Sequence, residues 1–252
     1  MKNCIVIHGS ARRGNTYKAT QMVMDSLKRL GGVEFEEIFL HDLKLPFCRG
    51  CFNCLETGEK YCADSAVIAD LEARILSADA LILTAPIYIL QINAETKNLL
   101  DHFGYRFHRP LFFTKKALVI TTTAGAGAKS GTKFMKQTLL CLGFNHVHSL
   151  PITCNSDVLP NTTKMKTQIN RVSKDFFEDL ASGKIHAPTL YQTAIYNAFR
   201  VNAENGRKLE TCDYKYWRQN DMLNSVYKYK VGMVSKILGS LIYRILKKVI
   251  PS

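Results

Sequence analysis

Seven residues, Ala80–Pro86, read ALILTAP and carry no charge. A strand with one wet face alternates apolar and polar side chains. A near-continuous apolar run is instead the pattern of a strand covered on both faces, as in parallel sheets sandwiched between helices. The flanking segments agree. "CIVIHG" (Cys4–Gly9) is a short β run that stops at glycine, and "TYKATQMVMDSLKRL" (Thr16–Leu30) carries apolar residues at helical spacing up to Gly31 and Gly32. "VEFEEIFL" (Val33–Leu40) reads as a second strand, and Asp64–Asp79 as an amphipathic helix with Asp64 or Ser65 as its N-cap. Past ALILTAP the pattern predicts helix over Ala94–Phe103, strand over Lys116–Thr122, helix over Gly131–Gly143, strand over His146–Ile152 and helix over Asn161–Ser182. Five strands separated by helices predict an α/β fold, a doubly wound five-stranded parallel sheet. Its ligands bind at the carboxyl ends of the strands, beside the point where strand order reverses.

Three loops fall at those ends. "HGSARRGNT" (His8–Thr16) leaves the first strand and enters the first helix, so its N–H groups can converge on an anion, helped by Ser10, Asn15, Thr16 and an arginine. It is neither a P-loop nor a complete dinucleotide fingerprint, and by itself it also reads as a turn with a good helix cap. "APIYILQINAETKNLLDHF" (Ala85–Phe103) places Pro86 and Tyr88 at the end of the buried strand, as a ledge for an apolar ring or a plain cap on the core. "TTTAGAGAKSG" (Thr121–Gly131) offers small residues and backbone donors.

In this order and spacing, "GSARRGNT", "PIYILQINAETKNLLD" and "TTTAGAG" make the chain resemble the flavodoxin-like NAD(P)H-dependent FMN reductases over roughly residues 1–180. The first loop departs from the family in lacking a proline after Ser10. The resemblance implies FMN as cofactor and NAD(P)H as donor. It implies that Ser10, Arg12, Asn15 and Thr16 hold the phosphate. Pro86, Ile87, Tyr88 and Ile89 would flank the flavin ring, with Thr122, Thr123, Ala124, Gly125 and Gly127. The cofactor would carry the chemistry, so no catalytic acid or base is assigned. His8 stands close enough to the first loop to approach a cofactor, but reads more simply as structural.

Half of the eight cysteines lie in residues 45–65: Cys48, Cys51, Cys54 and Cys62, spaced C-x2-C-x2-C-x7-C. The first strand is too short for a secretory segment, and no run of eighteen apolar residues suggests a spanning helix. A reducing cytoplasm is therefore expected, where clustered thiols bind metal or do redox chemistry more often than they form disulfides. Two-residue gaps let neighbouring thiolates meet one small centre, and sulfur ligands select an iron–sulfur cluster or zinc; a thiol loop without metal is the third reading. The loop also resembles that of the iron–sulfur flavoprotein branch of the same family, which implies a [4Fe–4S] cluster on these four cysteines. Electrons would then pass to a small-molecule or protein acceptor. The competing class is a non-enzymatic carrier between protein partners.

The net charge of +13 is uneven: residues 185–252 hold eleven Lys/Arg and four Asp/Glu. This divides the chain into a flavodoxin-like body, 1–184, and a basic helical extension, 185–252. Leu223–Ser252 reads as a long amphipathic basic helix, broken at Gly232 or Gly239. It suits packing on its own body, a homodimer or higher homo-oligomer, or peripheral contact with an anionic membrane. Aromatics mixed with charge in "CDYKYWRQN" (Cys212–Asn220) are too weak a signal to expect nucleic acid.

Overall fold

The computed structural model describes residues 1–154, 159, 162–229 and 231–250. Asn161, Lys230, Pro251 and Ser252, which fall in the expected helices, lie outside the described residues. The elements follow as β1 (Lys2–His8), α1 (Asn15–Leu30), β2 (Val33–Phe39), α2 (Asn53–Glu56), α3 (Ser65–Ser77), β3 (Ala80–Tyr88) and β4 (Gln91–Ile92). Then come α4 (Ala94–His102), α5 (Tyr105–His108), β5 (Lys116–Thr123), α6 (Ala128–Cys141), β6 (His146–Thr153) and α7 (Thr163–Ser182). The extension adds α8 (Leu190–Asn205), α9 (Cys212–Gln219) and α10 (Met233–Val249).

The sheet runs β2-β1-β3-β5-β6, all parallel, with the short β4 antiparallel on β3. This is the flavodoxin-like doubly wound order, and the order reverses between β1 and β3. Alternate residues of each central strand enter different cores, which explains the unbroken apolar runs. Ile5, Ile7, Leu81 and Leu83 pack with Leu71, Ile75, Leu99 and Met135 of α3, α4 and α6. Cys4, Val6, Ala80 and Ile82 pack with Val23 and Leu27 of α1 and Ile169 and Phe176 of α7. Burying a side chain of this size contributes about 1.5–3 kcal/mol, so neither face of these strands tolerates polar substitution.

Each element expected in the body is present to within a few residues, while α2, β4 and α5 are additions, and β4 brings a sixth, antiparallel strand to the five expected. α6 begins at Ala128 rather than Gly131, which shortens the third loop to Ala124–Gly127. Asp64 occupies the N-cap position of α3, yet its carboxylate makes no capping bond and lies 3.9 Å from His102 Nε2 instead.

The tail differs from expectation. Its helix starts only at Met233, with Gly232 as N-cap, and residues 223–229 run as turns. The cause is tertiary: Tyr227 enters a third core with Tyr196, Trp217 and Met222, packed on Phe113 of the body. The Trp217 indole N–H donates to His108 O at 2.6 Å. Gly239 does not break α10; a Cβ there would stand 3.0 Å from Val226 and from Thr193, so it lets the helix lie close on α8. Among the described residues no helix is long and apolar enough to cross a membrane.

Candidate functional site

The first loop closes on itself through Ser10, whose hydroxyl donates to Arg12 O at 2.9 Å and accepts the Arg12 N–H at 3.3 Å. Gly14 caps α1 without a side-chain bond, and no acidic residue lies in the first turn. The N–H groups of that turn thus face a partly positive, uncapped helix end, which suits a phosphate. Asn15 is placed beside it with its Oδ1 buried and unpartnered; turning the amide presents an N–H donor at the same spot. Arg13 is engaged over the rings of Tyr17 and Phe39, 5.4 Å from each centroid, whereas Arg12 is exposed. Thr16 Oγ1 lies 2.7 Å from Thr122 Oγ1, which joins the first loop to the third.

The second loop is a two-residue hairpin. Ile87 pairs with Ile92 and Tyr88 with Gln91, and the chain turns through Ile89 (φ 47) and Leu90 (φ 65). Two left-handed residues are what such a turn needs, and Asn-Gly is the usual solution. Bulky aliphatics there store roughly 1–3 kcal/mol each, a strain found mostly at functional sites. Pro86 and Ile87 are buried, Tyr88 is half exposed, and Ile89 stands 96% exposed. Together these give an apolar ledge at the end of β3.

In the third loop Thr122 and Thr123 are buried, while Ala124 and Gly125 are exposed. Thr123 Oγ1 donates to Ala126 O at 3.0 Å and accepts the Gly125 N–H at 3.2 Å. Gly127, at φ +98, is pressed on the second loop: a Cβ would stand 2.8 Å from Leu90 Cα. The three loops therefore converge, as their sequence positions predict. Beside the third loop, a cavity of about 810 Å³ extends past Lys129 to Lys164 and Gln168 of α7.

One joint was missed in the sequence. Asn93, at the start of α4, donates from Nδ2 to Gly9 O at 2.5 Å and from its backbone N–H to Pro86 O at 3.2 Å. Thr96 Oγ1 in turn donates to Asn93 Oδ1 at 2.7 Å. Gly9 has to be glycine, since a Cβ would fall 1.9 Å from Thr96 Oγ1. His8 belongs to the scaffold: it is 1% exposed, stacks on Phe39 at 4.5 Å and lies 2.8 Å from Glu37 Oε2. Burial pushes its pKa below the ordinary 6.5, against the pull of Glu37.

Cys48, Cys51, Cys54 and Cys62 line one cavity of about 550 Å³. Cys48 and Cys51 are exposed, Cys54 and Cys62 half-buried, and all four are free. Burial raises the Cys54 pKa first, and the charges of Cys62 and Cys48 raise it further, so these sulfurs sense one another. Removing protons from such a group requires a compensating cation, and the donor set fits an iron–sulfur cluster.

The loop is carried by the body. Asn98 Oδ1 accepts the Cys48 N–H at 2.9 Å, and Asn98 Nδ2 donates to Leu45 O at 3.2 Å and Pro46 O at 2.9 Å. Arg109, 2% exposed, donates to Cys54 O. Cys212 of α9 donates to Glu56 O at 3.6 Å, so the extension also reaches this loop. None of these supports has a sequence signature, because each depends on which helix lies under the loop.

The sequence profile of the NADPH-dependent FMN reductases matches residues 3–156, and so spans every element and loop just described except the extension and α7. The chain belongs to this family. It is 32% identical over 122 residues to an iron–sulfur flavoprotein of Archaeoglobus fulgidus, a match covering 48% of this chain and 54% of that one. Against an iron–sulfur flavoprotein of Clostridioides difficile it is 28% identical over 200 residues, 79% of this chain and 87% of the relative. The chain thus spans about half the length of the first relative and most of the second. Among solved structures, an NADH:FMN oxidoreductase in its apo form superposes with a TM-score of 0.56 at 19% identity, over 72% of this chain and 91% of that one. An NAD(P)H:(acceptor) flavoenzyme of Paracoccus denitrificans gives 0.52 at 22%, over 73% and 99%. At these identities the superpositions establish the flavodoxin-like fold of this family member.

Proposed function

We propose that the chain is an FMN-dependent NAD(P)H oxidoreductase that delivers electrons onward through a [4Fe–4S] cluster. The observation that carries this reading is the convergence of three strand-end loops on one edge of the sheet, an uncapped helix end beside an apolar ledge. Ser10, Arg12, Asn15 and Thr16 would hold the FMN phosphate, with charge supplied by Arg12 and the α1 dipole. Pro86, Ile87, Tyr88 and Ile89 would exclude water from one side of the flavin, and Thr123, Ala124 and Gly125 would line its polar edge. Thr122 orients Thr16, and Gly127 fixes the height of the ledge. Bound FMN supplies two-electron exchange with a nicotinamide and single-electron exchange with a cluster. Cys48, Cys51, Cys54 and Cys62 would ligate the cluster as thiolates, in a cavity open to solvent and so to an electron acceptor.

Anaerobic purification followed by flavin, iron and sulfide analysis tests the cofactors. Stopped-flow mixing with NADH and NADPH then tests the donor. Rapid bleaching of the flavin supports the enzyme. A flavin that stays oxidised with both nucleotides would leave an electron carrier, the alternative favoured by the exposed cysteine cavity.

For assembly, α10 supplies the surface. One side lies on α8, where Tyr243 donates to Glu204 at 2.6 Å beneath the Arg200 guanidinium. The other exposes Val234, Ile237, Leu241, Ile245 and Val249. Lys236, Arg244, Lys247 and Lys248 accompany them and the helix has no acidic residue, which favours an anionic membrane surface over pairing of two like-charged helices. Removing residues 232–252 should abolish sedimentation with anionic vesicles and leave FMN binding intact; a change in oligomeric state alone would assign the stripe to a second copy.

A further inference from the structure

Three of the chain's seven histidines converge on one carboxylate at the amino edge of the sheet, opposite the three loops. His146 Nδ1 and His148 Nε2 lie 2.8 and 2.9 Å from Asp179 Oδ2, and His186 Nε2 lies 2.6 Å from Oδ1. We propose that His146, Asp179 and His186 form a binding site for a divalent transition metal ion, separate from the cysteine cavity and from the three loops, with His148 holding the Asp179 carboxylate in place.

The fold places each donor for its own reason. His146 and His148 are two apart on β6, so they face the same side. That side is covered by α7, where Phe176 meets the His148 ring edge-on at 5.5 Å and Asp179 follows three residues later. Gly183, left-handed at φ +61, ends α7 and turns the chain back. Asn145 then fixes the returning segment by accepting the His186 N–H at 2.9 Å and donating to His186 O at 3.1 Å. The result is pre-organised: ligand atoms of His146, Asp179 and His186 all lie within 4.8 Å of one another.

Two imidazoles and one carboxylate, with solvent completing the shell, are a donor set for zinc, nickel, copper or cobalt, with bonds of about 2.0–2.2 Å. Donors around such an ion stand somewhat farther apart than the hydrogen bonds here, so loading needs an opening of roughly half an ångström, which the 36% exposed His146 and 29% exposed His186 side chains can supply. Asp179 is 8% exposed and anchors the site. The Lys116 ammonium, 3.4 Å from Asp179 Oδ1, opposes a dication. It also donates to Asn145 Oδ1 at 2.6 Å and to Lys184 O, bonds that would hold it while the carboxylate turned toward an ion. Because His186 lies between α7 and α8, the ion would fasten the start of the extension to the body.

Cobalt(II) added to the full chain is the direct probe, since sulfur and nitrogen sites differ in colour. The parent should take up one more equivalent than His186→Gln. The parent-minus-variant spectrum should show d–d bands without the near-ultraviolet charge transfer of cobalt–thiolate. Zinc should raise the melting temperature of the parent by several degrees more than that of the variant. Equal stoichiometry and equal shifts would overturn the site. If His186→Gln fails to fold, X-ray absorption of zinc on the cluster-loaded parent decides: a shell of nitrogen and oxygen supports the proposal, whereas sulfur alone, or no bound zinc, refutes it.

Discussion

Gly127 lies directly against the backbone of Leu90, on a neighbouring strand-end loop: a Cβ on Gly127 would stand 2.8 Å from Leu90 Cα and 2.9 Å from Leu90 O. The contact sets the height of the apolar ledge relative to the third loop. Gly127→Ala adds both this clash and a side chain at φ +98. Fluorescence titration should show FMN binding weakened at least tenfold, on the order of 1.4 kcal/mol. Unchanged affinity would detach this contact from the site.

The hairpin of Ile89 and Leu90 holds the opposite balance. Replacing Ile89-Leu90 by Asn-Gly relieves two left-handed aliphatic residues and should stabilise the protein by at least roughly 2 kcal/mol. The same change strips the exposed ledge, so FMN affinity should fall. Denaturant unfolding without flavin, beside flavin titration, separates the two effects. A variant that gains both stability and affinity would count against the ledge.

Asn98 supports the cysteine loop without contributing sulfur. Asn98→Ala leaves the Cys48 N–H and the Leu45 and Pro46 carbonyls without their partner, a cost of about 1–3 kcal/mol. Iron content after anaerobic reconstitution should drop several-fold with all four cysteines present. Cys51→Ser should lose it entirely. Full iron loading in Asn98→Ala would show that the loop organises itself.

Acid should weaken the fold early. His8 is buried beside Glu37 with its pKa pushed below 6.5, and burial lowers those of His146 and His148 as well. The unfolded chain therefore takes up protons first, near pH 6.5. Stability from these neutral imidazoles is complete above that pH and is lost as pH falls toward their folded values. Chemical denaturation from pH 7.5 to 5 should show the midpoint falling below pH 6.5, with a shallower fall in His8→Gln. A stability that does not change over that range would contradict the assignment.

Much of this was readable in the chain itself. ALILTAP, CIVIHG and KALVITT carry side chains that suit burial on two faces, and glycine or proline ends two of the three, so a parallel sheet with its loops at one edge follows from local chemistry. The order of those loops was enough to suggest the family. The tail was not readable in this way. Residues 223–229 have the composition of an amphipathic helix, but the aromatic ring of Tyr227 gains more by joining Tyr196 and Trp217 over Phe113 than the backbone gains from one more helical turn. Asn93, Asn98 and Arg109 hold the loops through hydrogen bonds across 84, 50 and 55 residues, and no local pattern encodes such partners. His146, His148, Asp179 and His186 likewise meet only because a strand, a helix end and a left-handed glycine bring them together. Sequence periodicity determined which faces are buried, since that depends on side-chain spacing along a single element. Which polar groups meet depended on how the elements pack, and only the tertiary structure decided it.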